Sequence, residues 1–262
     1  MKGGSFLYTT NIERRLIMEK EKEYEYYENV KNWDFSMINF EVEKVTGWSF
    51  FDTLNDIAKP TDKILDLGTG GGEKLLAKFP EVSEILGTDY SEGMIETAIE
   101  NLKKSGRKNI TFRVMDNTKM DTPDEYYDIV VARNTVIDPK AIYKTLKKGG
   151  TLLVHDVDKL DCWQLIRLFG CGQGYEDEKS IGQVEYERIL DAGFKDVELI
   201  PLYEREYFKS KEDLLALLLK TPILGEKRKN IDMKLLDSYI ENNTYEKGIL
   251  LRRHLCAIIA KK

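Results

Sequence analysis

The sequence predicts an α/β fold, a doubly wound and mostly parallel sheet of seven strands whose last strand runs antiparallel. Three observations carry this. From Lys63 onward, short apolar runs alternate with amphipathic helical stretches. A glycine-rich loop follows the first run directly, in ILDLGTGGGE at 64–73. No helix separates Gly248 from the closing run ILLRRHLCAIIAKK, so that strand enters antiparallel, without the crossover a parallel strand requires.

The elements follow in order. KILDLG is a short apolar strand and EKLLAKF a helix. EILGTDY is the second strand. SEGMIETAIENLKKSG is a helix with Ser91 as its N-cap and Gly106 as its C-terminal stop. NITFRVMD and YDIVVARN are the third and fourth strands, AIYKTLKKGG is a helix ending in glycines, and TLLVHDV is the fifth strand. VEYERILDAGF is a helix and KDVELIPLYE the sixth strand. Two further helices, SKEDLLALLLK with a Ser210–Asp213 capping pair and MKLLDSYIENN, form a helical insertion at 208–247 before the last strand. Ahead of this domain, assigned to 59–262, residues 1–58 read as an aromatic helical arm that folds over as a lid.

Composition narrows the function classes. The 262 residues carry a net charge of −6, with 42% hydrophobic and 33% charged residues, which is the profile of a soluble globular chain and a poor general nucleic-acid binder. No apolar run reaches the ~20 residues of a membrane span, and the first residues show no secretion signal. Cys162, Cys171 and Cys256 fit neither a zinc pattern nor a disulfide framework, which points to the reducing cytoplasm and to no metal site.

The glycine loop sits where an open α/β sheet binds ligands, at the carboxyl end of a strand. It is not a dinucleotide fingerprint, because Glu73 stands where the third glycine belongs. Nor is it a phosphate loop, because Leu75 replaces the magnesium-binding hydroxyl, and Glu73 would oppose a pyrophosphate. What remains is D-x-G-x-G-x-G from Asp66 to Gly72, which resembles motif I of the class I S-adenosylmethionine (SAM)-dependent methyltransferases, of the type 11/25-like small-molecule kind. The resemblance covers most of 60–200 and returns in the final strand. It implies a Rossmann-like fold, SAM as the cofactor, and a set of cofactor contacts. Asp66, Gly68, Thr69, Gly70 and Gly72 shape the loop around the methionine end. Asp89 takes the ribose hydroxyls, with Tyr90 on the adenine. In VMDNT, Met115, Asp116 and Asn117 hold the ring and its amino group. Arg133 and Asn134 of ARNTVI face the junction of cofactor and acceptor.

Methyl transfer from a sulfonium is an in-line displacement, and a general base is required only when the acceptor is protonated. His155 and Asn134 are the candidate catalytic residues, and Tyr27, Trp33, Asp156 and Arg252 the candidate acceptor contacts. His254 reads as structural, and Glu73 fits a helix-end role as well as contact with the methionine ammonium. The fourth strand ends in ARNT, not in the N-P-P-[YF] of base-amine methylases, so the expected acceptor is a small molecule. The alternatives are an rRNA or tRNA base methyltransferase and a non-catalytic SAM-binding protein.

Overall fold

The computed structural model describes residues 37–262. The expectations for residues 1–36, including Tyr27 and Trp33, lie outside the described residues. The rest of the arm is not wholly helical. It opens with strand β1 (Phe40–Lys44) and continues into helix α1 (Phe50–Ile57).

From there the alternation holds. The elements are β2 (Lys63–Leu67), α2 (Glu73–Lys78), β3 (Glu84–Asp89), α3 (Glu92–Ser105), β4 (Ile110–Val114) and β5 (Tyr127–Arg133). They continue with α4 (Pro139–Thr145), β6 (Leu146–Val157), α5 (Trp163–Phe169), α6 (Ile181–Asp191) and β7 (Lys195–Phe208). The insertion holds α7 (Lys211–Lys220), a 3-10 stretch (Pro222–Asn230) and α8 (Met233–Asn243), and the chain closes with β8 (Thr244–Tyr245) and β9 (Gly248–Lys261).

The sheet order is β1-β7-β9-β6-β5-β2-β3-β4, with β8 hairpinned onto β9. The predicted seven strands are β2 to β7 and β9. The pairs among β2 to β6 are parallel, and β9 is antiparallel to both neighbours, β6 and β7. Strand β1 adds an edge, antiparallel to β7. The chain leaves β2 toward β3 on one side and returns to β5 on the other. The switch point therefore lies at the carboxyl end of β2, where the glycine loop begins.

Both sheet faces are buried, which is why the central strands read as continuous apolar runs. On one face Ile64, Ile85, Ile129, Val131 and Leu153 pack with Phe50 and Leu54 of α1 and Leu75 of α2. On the other, Leu65, Leu67, Val130, Leu152, Val154 and Ile258 pack with Ile142 of α4 and Ile189 of α6. A third cluster joins the outer ends of β7 and β9 to α5 and the insertion: Phe208, Ile249 and Leu251 pack with Leu165 of α5 and with Leu214, Leu218 and Leu236.

Ser91 accepts from the Met94 N–H and Gly106 ends α3 at φ 74°, as the sequence implies. Ser210 accepts from the Asp213 N–H, and Asp213 also receives the Asn39 N–H at 2.8 Å, tying the insertion to β1. Two local readings change. The helix at 139–145 stops before KKGG, because Leu146 is buried and pairs with Tyr127 as the start of β6. Helix α5 is additional. At seven residues, bracketed by left-handed Cys162 and Gly170, it is too short to carry a periodic signal.

Phe208 is fully buried and stacks on Phe40 with ring centroids 5.1 Å apart. Phe208→Ala is expected to destabilise the fold by about 3–5 kcal/mol, read as a lowered urea midpoint at unchanged m-value.

Candidate active site

The loop after β2 is built from conformations that side chains disfavour. Gly68, Gly70 and Gly72 have φ of 72°, 59° and 75°. Space is also lacking: a Cβ at Gly68 would lie 2.7 Å from the Thr135 Cβ, and one at Gly72 would lie 2.8 Å from the Phe112 ring. The loop is held against β3 by two bonds, Thr69 N–H to the Thr88 carbonyl at 2.8 Å and Gly70 N–H to Asp89 Oδ2 at 2.9 Å.

Asp66 is fully buried at the root of this loop, with Arg133 Nη2 3.3 Å from its Oδ2. Burial pushes the Asp66 carboxyl up, while Arg133 and the Thr69 hydroxyl favour its charged form. The Arg133 guanidinium lies 5.5–5.7 Å from the ring centroids of Phe50, Phe51 and Phe79. Its head group is committed inward, because a buried carboxylate without a cation would be costly.

Asp89 ends β3 and accepts Gly70 N–H on one oxygen and Ser91 N–H, at 3.0 Å, on the other. Each carboxylate oxygen has a further lone pair. Tyr90 follows it and is 42% exposed. Asp116 accepts the Thr118 N–H at 2.9 Å and the Thr118 hydroxyl at 2.6 Å, an arrangement that fixes the turn after β4. Asn117 is buried and donates to the Thr135 hydroxyl at 3.0 Å. Met115 is buried in the core behind the loop. Glu73 stands exposed in the first turn of α2, its Oε1 3.5 Å from the Asn101 amide, where a carboxylate favours the helix end.

At the ends of β5 and β6, Asn134 adopts φ 50° and donates its N–H to the His155 carbonyl at 2.9 Å. His155 stacks on Trp48 at 6.4 Å and meets Phe50 edge-on at 6.1 Å. Asp156 accepts the Val157 N–H. Arg252 is not brought to this group: it lies against α5 and α8, where Gln164 and Asn243 accept from it. His254 stacks on Tyr203 with centroids 4.8 Å apart, in a structural setting. Sequence reasoning named neither Thr135, which closes over Gly68, nor Trp48 as site residues. For Trp48 the signal was its place in TGWSFF, immediately before α1. A surface cleft of about 500 Å³ lined by Glu84, Arg113 and Tyr126 opens near the other end of β3 from Asp89, away from this group.

A glycine turn at the switch point, an acid at the end of β3, another just beyond β4 and an antiparallel last strand define the class I methyltransferase fold. The chain belongs to the methyltransferase domain family, whose model matches residues 58–192, half of its length. It is 33% identical over 166 residues to phosphoethanolamine N-methyltransferase 3 of Arabidopsis thaliana, an alignment that covers 58% of this chain and 32% of that protein. The chain thus spans about a third of the length of that relative. Among solved structures, the YcgJ protein of Bacillus subtilis superposes with a TM-score of 0.54 at 18% identity, covering 81% of this chain and 95% of that one. Haemonchus contortus phosphoethanolamine N-methyltransferase 2, in complex with phosphomonomethylethanolamine and S-adenosylhomocysteine, gives 0.50 at 19% identity, covering 82% and 53%. These superpositions establish the fold.

Burial, followed by the charges of Arg133, Lys74 and Arg253, pushes the His155 imidazole down to about 4. An unfolded histidine titrates near ~6.5. As pH falls from there toward 4, the unfolded chain binds the proton first, so His155 withdraws stability across that window. In an NMR titration its Cε1–H shift is expected to stay at the neutral value at pH 6 and to move only near pH 4.

Proposed function

We propose that this chain transfers a methyl group from SAM to a small-molecule acceptor. The observation that carries the reading is Asp89, fixed by two backbone N–H groups at the end of β3 with lone pairs left for two ribose hydroxyls. A second support is the chemistry of the loop. The glycine turn exposes backbone beside the buried carboxylate of Asp66, whose Oδ1 has no hydrogen-bond partner among the described residues. That surrounding suits a cationic sulfonium and ammonium and opposes a diphosphate.

SAM supplies an electrophilic methyl on a positively charged sulfur. The protein's part is to bind, orient and exclude water. In this reading Gly68, Thr69, Gly70 and Gly72 receive the methionine portion and Asp66 offsets its charge. Asp89 fixes the ribose, Tyr90 and Met115 border the adenine, and Asp116 with Asn117 meets its edge. Asn134 and His155 stand on the acceptor side. As a neutral imidazole, His155 orients an acceptor through a hydrogen bond and is a weak base. No helix among the described residues is long and apolar enough to cross a membrane. We assign the chain to the cytoplasm, on its three free cysteines.

Calorimetry tests the cofactor. SAM and S-adenosylhomocysteine are expected to bind and NAD is not. Asp89→Ala should weaken SAM at least tenfold, about 1.4 kcal/mol, with melting temperature followed in parallel because Asp89 also holds the loop. Binding of NAD in place of SAM would overturn the assignment. SAM binding without release of S-adenosylhomocysteine in the presence of a metabolite extract would point to a sensor.

A further inference from the structure

The switch-point crevice lies between β2 and β5, which are neighbours in the sheet although β3 follows β2 in the chain. Leu67 at the end of β2 pairs with Ala132 of β5. Each strand then runs into a loop, one beginning with Gly68 and the other carrying Thr135. The Thr135 side chain rests on the Gly68 backbone. A Cβ built at Gly68 would meet the Thr135 Cβ at 2.7 Å and its Oγ1 at 3.0 Å. The hydroxyl therefore stands at the root of the glycine turn.

The direction of this hydroxyl is set by Asn117. That residue is 9% exposed and donates its Nδ2 N–H to the Thr135 oxygen at 3.0 Å. A hydroxyl has one proton, and one that accepts from an amide turns its proton elsewhere. No acceptor takes that proton among the described residues. The Asn117 Oδ1 is itself buried without a partner there, so the amide does not take the proton back. The turn has few donors left of its own. Thr69 N–H goes to the Thr88 carbonyl, Gly70 N–H to Asp89, and Gly72 N–H to the Thr69 carbonyl at 3.2 Å. The Arg133 guanidinium is turned to Asp66.

The polar groups of SAM sort against this inventory. Its ammonium only donates, and it suits the Asp66 Oδ1, which is buried without a partner among the described residues. Its ribose hydroxyls suit Asp89. Its carboxylate only accepts, and it requires a donor that the spent amides of Thr69, Gly70 and Gly72 do not supply. Resting on the methyl-transfer reading above, we propose that the Thr135 hydroxyl, turned by Asn117, donates to the methionine carboxylate of SAM. A hydrogen bond to a carboxylate is shorter and stronger than one between neutral groups. Thr135 is thereby a residue that distinguishes the amino-acid form of the cofactor from nucleoside thioethers without a carboxylate.

The test uses the full chain in calorimetry with three probes: S-adenosylhomocysteine, its decarboxylated analogue, which keeps the ammonium, and 5′-methylthioadenosine, which has neither group. The unaltered chain is expected to bind S-adenosylhomocysteine about tenfold or more tighter than the decarboxylated analogue. Thr135→Val keeps the shape over Gly68 and should weaken S-adenosylhomocysteine about tenfold while the other two probes bind as before. Thr135→Ser keeps the hydroxyl and should stay within about twofold of the unaltered chain. Equal binding of the first two probes by the unaltered chain, undiminished S-adenosylhomocysteine binding by Thr135→Val, or an equal loss of all three probes would overturn the proposal. The last of these would make Thr135 a packing support of the turn. Failure of the methyl-transfer reading is distinct, because it appears as absent S-adenosylhomocysteine binding to the unaltered chain. If Thr135→Val loses its melting transition, Thr135→Ala supplies the second variant, with the same expected loss, and the comparison on the unaltered chain stands without either.

Discussion

A carboxylate buried at the end of the first core strand must be paired, and much of the site's arrangement follows from how this is done. Asp66 has no exposure, and Arg133 from the neighbouring strand supplies the cation. The guanidinium in turn requires a lining, which Phe50 and Phe51 of α1 and Phe79 at the end of α2 provide. One ion pair thereby joins two parallel strands and the helix that precedes them. Replacing such a pair by apolar groups is often tolerated, whereas removing one partner leaves an uncompensated charge. The aromatic segment ahead of β2 is therefore part of the domain's construction, although the family match begins only at residue 58.

The glycine loop depends on the same centre. It leaves β2 immediately after Asp66, bends through three left-handed glycines, and is tied back to β3 through Asp89. Thr135 closes over Gly68 and is itself held by Asn117. Four strand ends thus meet at one turn, and a change in any one shifts the backbone groups that the turn presents.

Much of this was legible in the sequence because it rests on local rules. Strand and helix periods, the Ser91 and Gly106 caps and the antiparallel close of β9 follow from residue order alone. The acids at 66, 89 and 116 arrive at successive strand ends, where a spacing argument can find them. What stayed hidden depends on pairing between distant segments. β1 is a strand only because β7 runs past the sheet and offers it an edge. Helix α5 is a short element set by two left-handed residues. Arg133 sits at a strand end like a ligand contact, and nothing in its neighbours reveals that it turns back to Asp66. Trp48 reads as one aromatic among many until the register of β7 and β9 shows what lies beneath it.

The segment between β1 and α1 is anchored twice. Val45 and Thr46 donate to the Tyr203 carbonyl, and the Thr46 hydroxyl accepts the Tyr203 N–H. A few residues later Phe50 is locked in the core, so Trp48 hangs from a bridge with both abutments fixed. Gly47, where an added Cβ would meet nothing within 4 Å, is the slack link. Shortening or lengthening that span would slide the indole along its platform of Leu202, Leu255 and Ala257 without disturbing either anchor.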